Sequence, residues 1–432
     1  MVSVGGGRIT GMGFVRTTPP RPVDVAAVFP ELAPSARPAI RLHPRAGSPS
    51  VRDSSVGGPL LWPAEEPWPH CEARHPGTGR CESPAEIRLE RRRLARLHRD
   101  PGGPHYTPEE SQIHERNAAT FMARLDAGPP WPAESPVPML PVAQLYVRDV
   151  PLLRPPGQAD VLQVLWCPYD HEPDAKPATA LFWRSAADVG EVLAVPPDPY
   201  EADWDGYVPE PCLLAPEAIT EYPNSLDLSP ELRLALRDRN RWRDAGVDMD
   251  GSKSFSPDAD SSYKDGSYDG GMYEEGPEWF YDSHLADAPG WKVGGWPPWG
   301  RTDPNPRFCA VCDVQMVPLL TIASFEWDSG TRGWAPYEDR ADAHAAGHRA
   351  GRNPGAADQG GSRQHRQHAA LRLPDLSRAS PHRPDPVICR PLLRGGARPG
   401  VAPGCAEGGE AVPPMNATFL RWRARGFVGS PP

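Results

Sequence analysis

Two neighbouring stretches carry the densest signal in the chain: Pro289-Gly-Trp-Lys-Val-Gly-Gly-Trp-Pro-Pro-Trp299 and Phe308-Cys-Ala-Val-Cys-Asp-Val-Gln-Met-Val-Pro-Leu-Leu-Thr-Ile-Ala-Ser-Phe-Glu-Trp-Asp328. Together they combine a glycine turn, four tryptophans, a Cys-x-x-Cys and one apolar strand. An earlier part of the chain echoes them. Gly57-Gly58-Pro-Leu-Leu-Trp62-Pro63 resembles Gly294-Gly295-Trp296-Pro297, and Met139-Leu-Pro-Val-Ala-Gln-Leu145 aligns with Met316-Val-Pro-Leu-Leu-Thr-Ile322. The echo predicts two similar sheet-containing halves, each a glycine pair followed by a Met-x-Pro strand. In the first half a second strand follows at Val161. Its counterpart is expected after Arg340, where no strand pattern is visible.

Other elements extend outward from these. Ser83-Pro84-Ala85-Glu86 and Thr107-Pro108-Glu109-Glu110 are capping boxes with proline at the first helical position. They predict helices to about Arg99 and to just before Gly128. Apolar runs predict strands at Met139–Val147, Val161–Cys167, Leu181–Trp183 and Val192–Val195. A third helix is expected from Pro230 to Ala245, capped by Ser229 and stopped by Gly246. The fold class is therefore α+β, mainly antiparallel, with a few peripheral helices and long loops. The 58 prolines and 41 glycines fit that loop content.

The expected domain plan is an extended or disordered arm over residues 1–40 and a domain over 41–349. Its halves are placed at about 41–225 and 285–349, with an acidic, disordered loop at 248–276. Residues 350–432 read as a disordered basic tail. Composition breaks near Gly355, where the repeat calls for another strand, and the break reads as translation out of frame.

Charge and composition exclude several classes. The net charge is −10, yet residues from Ala341 onward carry 13 Arg against 6 acidic residues. The acidic remainder argues against nucleic acid as a partner. The chain contains no 18-residue apolar run for a membrane span and no continuous apolar region of a secretory signal. Eight cysteines, scattered rather than framed, fit a reducing cytoplasm.

Candidate sites follow from residue chemistry. Cys309 and Cys312 have the spacing of a zinc knuckle, whose two thiolates can share one tetrahedral Zn²⁺. That is half a site, and the remaining candidate ligands are His382, Cys389 and Cys405. Asp313 stands where a knuckle usually has glycine. Trp291, Trp296, Trp299 and Trp327 could line a groove for a protein or peptide, although aromatic burial makes a core role the commoner one. Asp170 with His171, and Glu326 with Asp328, are the acid/base candidates for a carboxylate-dependent hydrolase. Asp248, Asp250, Asp258 and Asp260 hint at Ca²⁺, but the glycine and closing glutamate of an EF-hand loop are misplaced. No phosphate-binding loop, dinucleotide fingerprint or nucleophile elbow occurs.

The strings Val-Gly-Gly-Pro-Leu-Leu-Trp-Pro, Leu-Pro-Val-Ala-Gln-Leu, Leu-Gln-Val-Leu-Trp-Cys-Pro, Lys292-Val-Gly-Gly-Trp and Pro318-Leu-Leu-Thr-Ile-Ala-Ser resemble the YwqG-like family of bacterial proteins over about Arg41 to Arg349. The resemblance implies a cytosolic α+β fold of two similar halves and no established activity. Relatives typically carry Cys-Pro-x-Cys-Gly at the knuckle and a second Cys-containing strand near the C-terminus. The combined expectation is a non-catalytic protein- or peptide-binding module with an incomplete zinc knuckle.

Overall fold

A computed structural model describes residues 15–75, 82–100, 102–127, 134–171, 176–247, 276–299, 304, 306–309, 312–328, 330–340 and 369–374. In chain order the strands are β1 (Arg37–Arg41), β2 (Arg45–Ala46), β3 (Ser55–Val56), β4 (His70–Cys71), β5 (Val137–Pro138), β6 (Leu140–Tyr146), β7 (Val161–His171), β8 (Lys176–Arg184), β9 (Cys212–Leu213), β10 (Glu217–Glu221), β11 (Lys292–Gly294), β12 (Met316–Ile322) and β13 (Ala369–Pro374). The helices are α1 (Val25–Val28), α2 (Pro84–Arg99), α3 (Pro108–Ala127), α4 (Pro230–Leu236), α5 (Arg239–Asp244) and α6 (Pro277–His284). The fold is α+β with antiparallel sheets, as the sequence implies.

Two large sheets form the body. One runs β2-β9-β3-β6-β7-β8 and the other β10-β1-β11-β12-β13, while β4 and β5 pair apart. Their registers can be laid side by side. Val56 pairs with Cys212 and Ala143; Val293 pairs with Ile40 and Leu320. The β6–β7 ladder slips between Pro141 and Ala143, and the β12–β13 ladder slips between Pro318 and Leu320. Proline cannot donate to a ladder, so an irregularity beside it is the expected accommodation. In each sheet a short strand leads into the glycine pair, and the Met-x-Pro strand follows later in the chain. Gly57 and Gly294 both have positive φ, 59° and 74°.

Gly57 shows why glycine is needed there. A Cβ at that position would lie 2.5 Å from the Glu210 carbonyl oxygen. Gly57→Ala therefore combines backbone strain with a backbone clash, and about 2–3 kcal/mol of stability should be lost. Urea unfolding checks this.

The main core lies between the large sheets and draws Leu140, Val142, Leu162 and Val164 from one and Ile40, Val293, Leu320 and Ile322 from the other. The opposite face of β7 turns Leu165, Cys167 and Tyr169 into a second cluster with Trp62, Trp68 and Met139. Period-two alternation thus buries both faces of β7. A third cluster packs α1, α4, α5 and α6 through Val25, Leu236, Trp242 and Phe280.

Several expectations are corrected here. Residues read as an arm contain α1 and the inner strand β1, and Val25, Phe29 and Leu32 are buried. A strand does follow Arg340: β13, antiparallel to β12. Residues 192–195 make one isolated bridge, Pro63 to Val192, and no strand, with Val195 on the surface. The helix expected from Pro230 to Ala245 is two helices, because the Asp238 carboxylate accepts the Asn240 N–H and starts α5 afresh. On α3, Ile113 is half-buried and Met122 is exposed. The acidic loop at 248–276, apart from Gly276, and the tail beyond 374 lie outside the described residues.

The second sheet carries a buried ion cluster. Lys292 Nζ lies 2.8 Å from both carboxylate oxygens of Glu221, and both side chains are fully buried. The Asp287 carboxylate is 3.9 Å from the same Nζ. Burial pushes the Asp287 carboxyl up to about 7, with Lys292 only partly opposing the shift. The folded protein therefore binds this proton where the unfolded chain has released it. Stability contributed by the neutral form falls as pH rises from about 4 to about 7. His43 and His284, which burial pushes down to about 4, act in the opposite sense, losing stability as pH falls from about 6.5. Thermal unfolding of Asp287→Asn against the parent over pH 4–8 should thus show the variant gaining relative stability with rising pH.

Candidate metal centre

β4 and β7 meet at one end of the first sheet. Pairing of Cys71 with Val137, and of Met139 N–H with the Pro69 carbonyl at 3.0 Å, holds the residues after β4 against the start of β6. On β7, Trp166 pairs with Thr179 while Asp170 pairs with Pro177. The strand thus advances four residues where β8 advances two. The surplus curls residues 167–169 out of the ladder. In a straight strand Cys167 and His171 would lie about 13 Å apart on one face. The curl draws them together.

The result is a cluster of Cys71, His75, Cys167 and His171, with all four potential ligand atoms within 4.8 Å of one another. Cys167 Sγ lies 3.2 Å from His75 Nε2, and Cys71 Sγ lies 3.7 Å from His171 Nε2. The two imidazoles stand edge to face, ring centres 5.1 Å apart. Cys71, His75 and Cys167 are buried, and His171 is half-buried. The Cys167 thiol donates to Cys71 and, helped by His171 and His75, holds the Cys71 thiol well below its ordinary value; Cys167 is pushed up in turn. A thiolate is therefore favoured in the pocket, as metal ligation needs. Such a buried group of two thiols and two imidazoles could hold a metal ion. His75 stacks near Tyr169, whose hydroxyl donates to buried Glu201 at 3.0 Å. The hydroxyl bond anchors Tyr169 against the His75 ring.

Sequence reasoning named His171 as an acid/base candidate and regarded the cysteines as scattered; the structure corrects that view. The signal was present as a doubled spacing: Cys71-Glu-Ala-Arg-His75 and Cys167-Pro-Tyr-Asp-His171 are both Cys-x-x-x-His.

The other candidates lie elsewhere. Asp170 accepts from the Tyr207 hydroxyl at 2.5 Å. Asp328 accepts from Thr331 and caps a turn. Glu326 is buried, accepts the Trp291 N–H at 3.1 Å, and faces His43 Nδ1 at 3.6 Å; burial holds its carboxyl above the ordinary range. Asp170 and His171 belong to one large sheet, whereas Glu326 and Asp328 follow β12 of the other. They do not assemble into one acid/base set. Trp291 and Trp327 are buried, which removes them from a surface groove. Trp296 donates to the Ser35 carbonyl beneath the Arg37 guanidinium, and Trp299 donates to Asp227. Cys309 and Cys312 lie at the start of the second sheet, Cys312 on the surface.

No helix among the described residues is long and apolar enough to cross a membrane. Neither a protein-family model nor a curated protein matches the chain.

Proposed function

We propose that this chain is a non-catalytic, zinc-dependent member of the YwqG-like group that works in a reducing cytoplasm as a protein- or peptide-binding module. The zinc ion ties β4 to β7. The observation that carries the reading is the Cys71–His75–Cys167–His171 cluster. Two thiolates and two imidazoles within tetrahedral reach are the donor set zinc prefers. Four protein ligands fill the shell and leave no position for water or substrate, which is the mark of a structural rather than a catalytic ion. Dispersal of the carboxylates supports the same conclusion. The register match between the two sheets supports a duplicated architecture of the YwqG kind. Strand β8 ends the first sheet, and among the described residues no further strand covers its outer side. An added peptide strand would pair there.

Metal analysis of the purified full chain tests the zinc site. The Cys71→Ser/Cys167→Ser variant should carry about one zinc ion per chain fewer than the parent. Cobalt substituted into the parent should show thiolate-to-metal charge-transfer bands that this variant lacks. Equal metal content in the two proteins would defeat the reading.

A further inference from the structure

Strand β10 is the outer member of the second sheet, and a cavity of about 430 Å³ lies against it. The register tells which way its backbone faces. Gly295 N–H donates to the Pro38 carbonyl at 3.1 Å, so Pro38 faces β11. Alternation then turns Arg37, Ala39 and Arg41 toward β10, and their partners Glu221, Ile219 and Glu217 toward β1. Ala218, Thr220 and Tyr222 are left to face outward. Tyr222 does so, since its N–H donates to the Ala286 carbonyl at 3.1 Å. Ala218 and Thr220 border the cavity and are exposed. Among the described residues, none bonds their outward N–H and C=O groups. The outer edge of β10 is thus paired at one end and open at its next two outward positions.

Residues from the segment 18–25 line the same cavity. The segment is held at both ends: Thr18 N–H donates to Glu217 Oε1 at 2.7 Å, and Val25 is buried in the helical cluster. Val25, Leu285 and Trp334 supply apolar lining. Arg21 and two carboxylates, Glu217 and Asp24, supply charge. Arg21 is already engaged, donating to the carbonyls of Pro19, His284 and Gly333 and lying 3.6 Å over the Trp334 ring. Glu217 is engaged by Thr18 and His43. Asp24 is exposed, and only its Oδ1 takes part in capping α1. The slot therefore combines an open strand edge, apolar lining and an available carboxylate.

We propose that this slot binds an extended peptide of alternating basic and apolar residues, laid antiparallel to β10. Peptide residues opposite Ala218 and Thr220 exchange backbone hydrogen bonds with them and extend the sheet by one strand. Their side chains share the exposed face of Ala218 and Thr220, where basic groups suit Asp24 and the acidic body of the chain. The apolar residue between them lies opposite Ile219 and shares its half-buried face. This inference rests on the peptide-binding reading above, but it uses a walled edge of the second sheet rather than the edge at β8.

Calorimetric titration of the full chain with the peptide acetyl-Arg-Val-Arg-Val-Arg-amide is the test. Saturable one-to-one binding is expected, with the glutamate counterpart of the peptide weaker by about tenfold or more. In this register the arginine amides face β10 and the valine amides face away. N-methylation of the arginine amides should weaken binding about tenfold or more, and N-methylation of the valine amides should not. Ala218→Pro removes one outward N–H at an edge position, where proline is tolerated. It should weaken binding similarly while leaving the unfolding midpoint near that of the parent. Asp24→Asn keeps the α1 cap and should abolish most of the preference for the basic peptide. Absence of saturable binding, equal weakening by the two methylation patterns, or a basic preference that survives Asp24→Asn overturns the proposal. Binding indifferent to both Ala218→Pro and the arginine methyl groups overturns it too, and leaves a peptide site at β8 standing.

Discussion

If the proposed zinc ion occupies the Cys71–His75–Cys167–His171 centre, removing it should lower the melting temperature by about 10 °C, and restoring it should reverse the loss. Without the ion, two thiols and two imidazoles stay packed within 4.8 Å of one another in a largely buried pocket, with only weak hydrogen bonds between them. A zinc ion bound there would supply the cross-link between β4 and the curled end of β7, and that curl has little ladder bonding of its own. Structural zinc contributes folding free energy directly, roughly 10–16 kcal/mol in small peptides. Here separate cores persist without it, so only part of that is at stake, about 3–5 kcal/mol. Calorimetry with and without a tight chelator is the measurement, and Cys167→Ser should match the chelated parent. Ligation also needs deprotonated thiolates and neutral imidazoles, so acidification should release the ion. An unchanged transition after verified zinc removal would show that the centre holds nothing structural.

The second large effect is expected at Lys292. Lys292→Met should cost about 3–5 kcal/mol, because it leaves the Glu221 carboxyl buried in a dry site without its partner. Glu221 also accepts the Ala288 N–H at 2.9 Å and the Trp296 N–H at 2.8 Å. The two N–H groups go to different carboxylate oxygens, so the single carbonyl oxygen of a glutamine at 221 would keep one of them bonded. Lys292→Met/Glu221→Gln should therefore recover part of the loss, since it removes both charges but leaves one backbone N–H without its acceptor. Urea unfolding of the two single variants and the double variant gives the coupling directly. Additive losses in the double variant would mean that the pair contributes little. Gly295 is tied to the same cluster: with φ 69°, a Cβ there would lie 2.2 Å from Glu221 Oε2.

The elements legible in the sequence were those with an unambiguous local signal. β6, β7 and β12 are apolar runs, and α2 and α3 open on capping boxes. β1 was hidden because Arg37-Pro-Ala-Ile-Arg41 looks like an arm. Its buried Arg41 is accommodated by acceptors outside the strand: Thr18 Oγ1 and the carbonyls of Trp334 and Glu326. β13 was hidden because Ala-Ala-Leu-Arg-Leu-Pro lies in a stretch rich in arginine and histidine. The metal centre was missed for a related reason. Cys71 and His171 are 100 residues apart, and no periodicity reports a contact of that range. The adjacent pair at Cys309 was visible because both cysteines fall within one turn.

Strand order has a last consequence, for synthesis. β1, from the first tenth of the chain, sits between β10 and β11, whereas β9, which lies just before β10 in sequence, joins the opposite sheet between β2 and β3. The second sheet thus takes β1 and β10 from the leading part of the chain and β11 and β12 from beyond residue 290. As the chain leaves the ribosome, β1 must wait for residues beyond 290 before its inner neighbour exists, and closure over such a span is slow. Neither half is a severable module: a nascent chain stopped at residue 225 would expose an unclaimed edge and invite chaperones or a neighbouring copy to cover it.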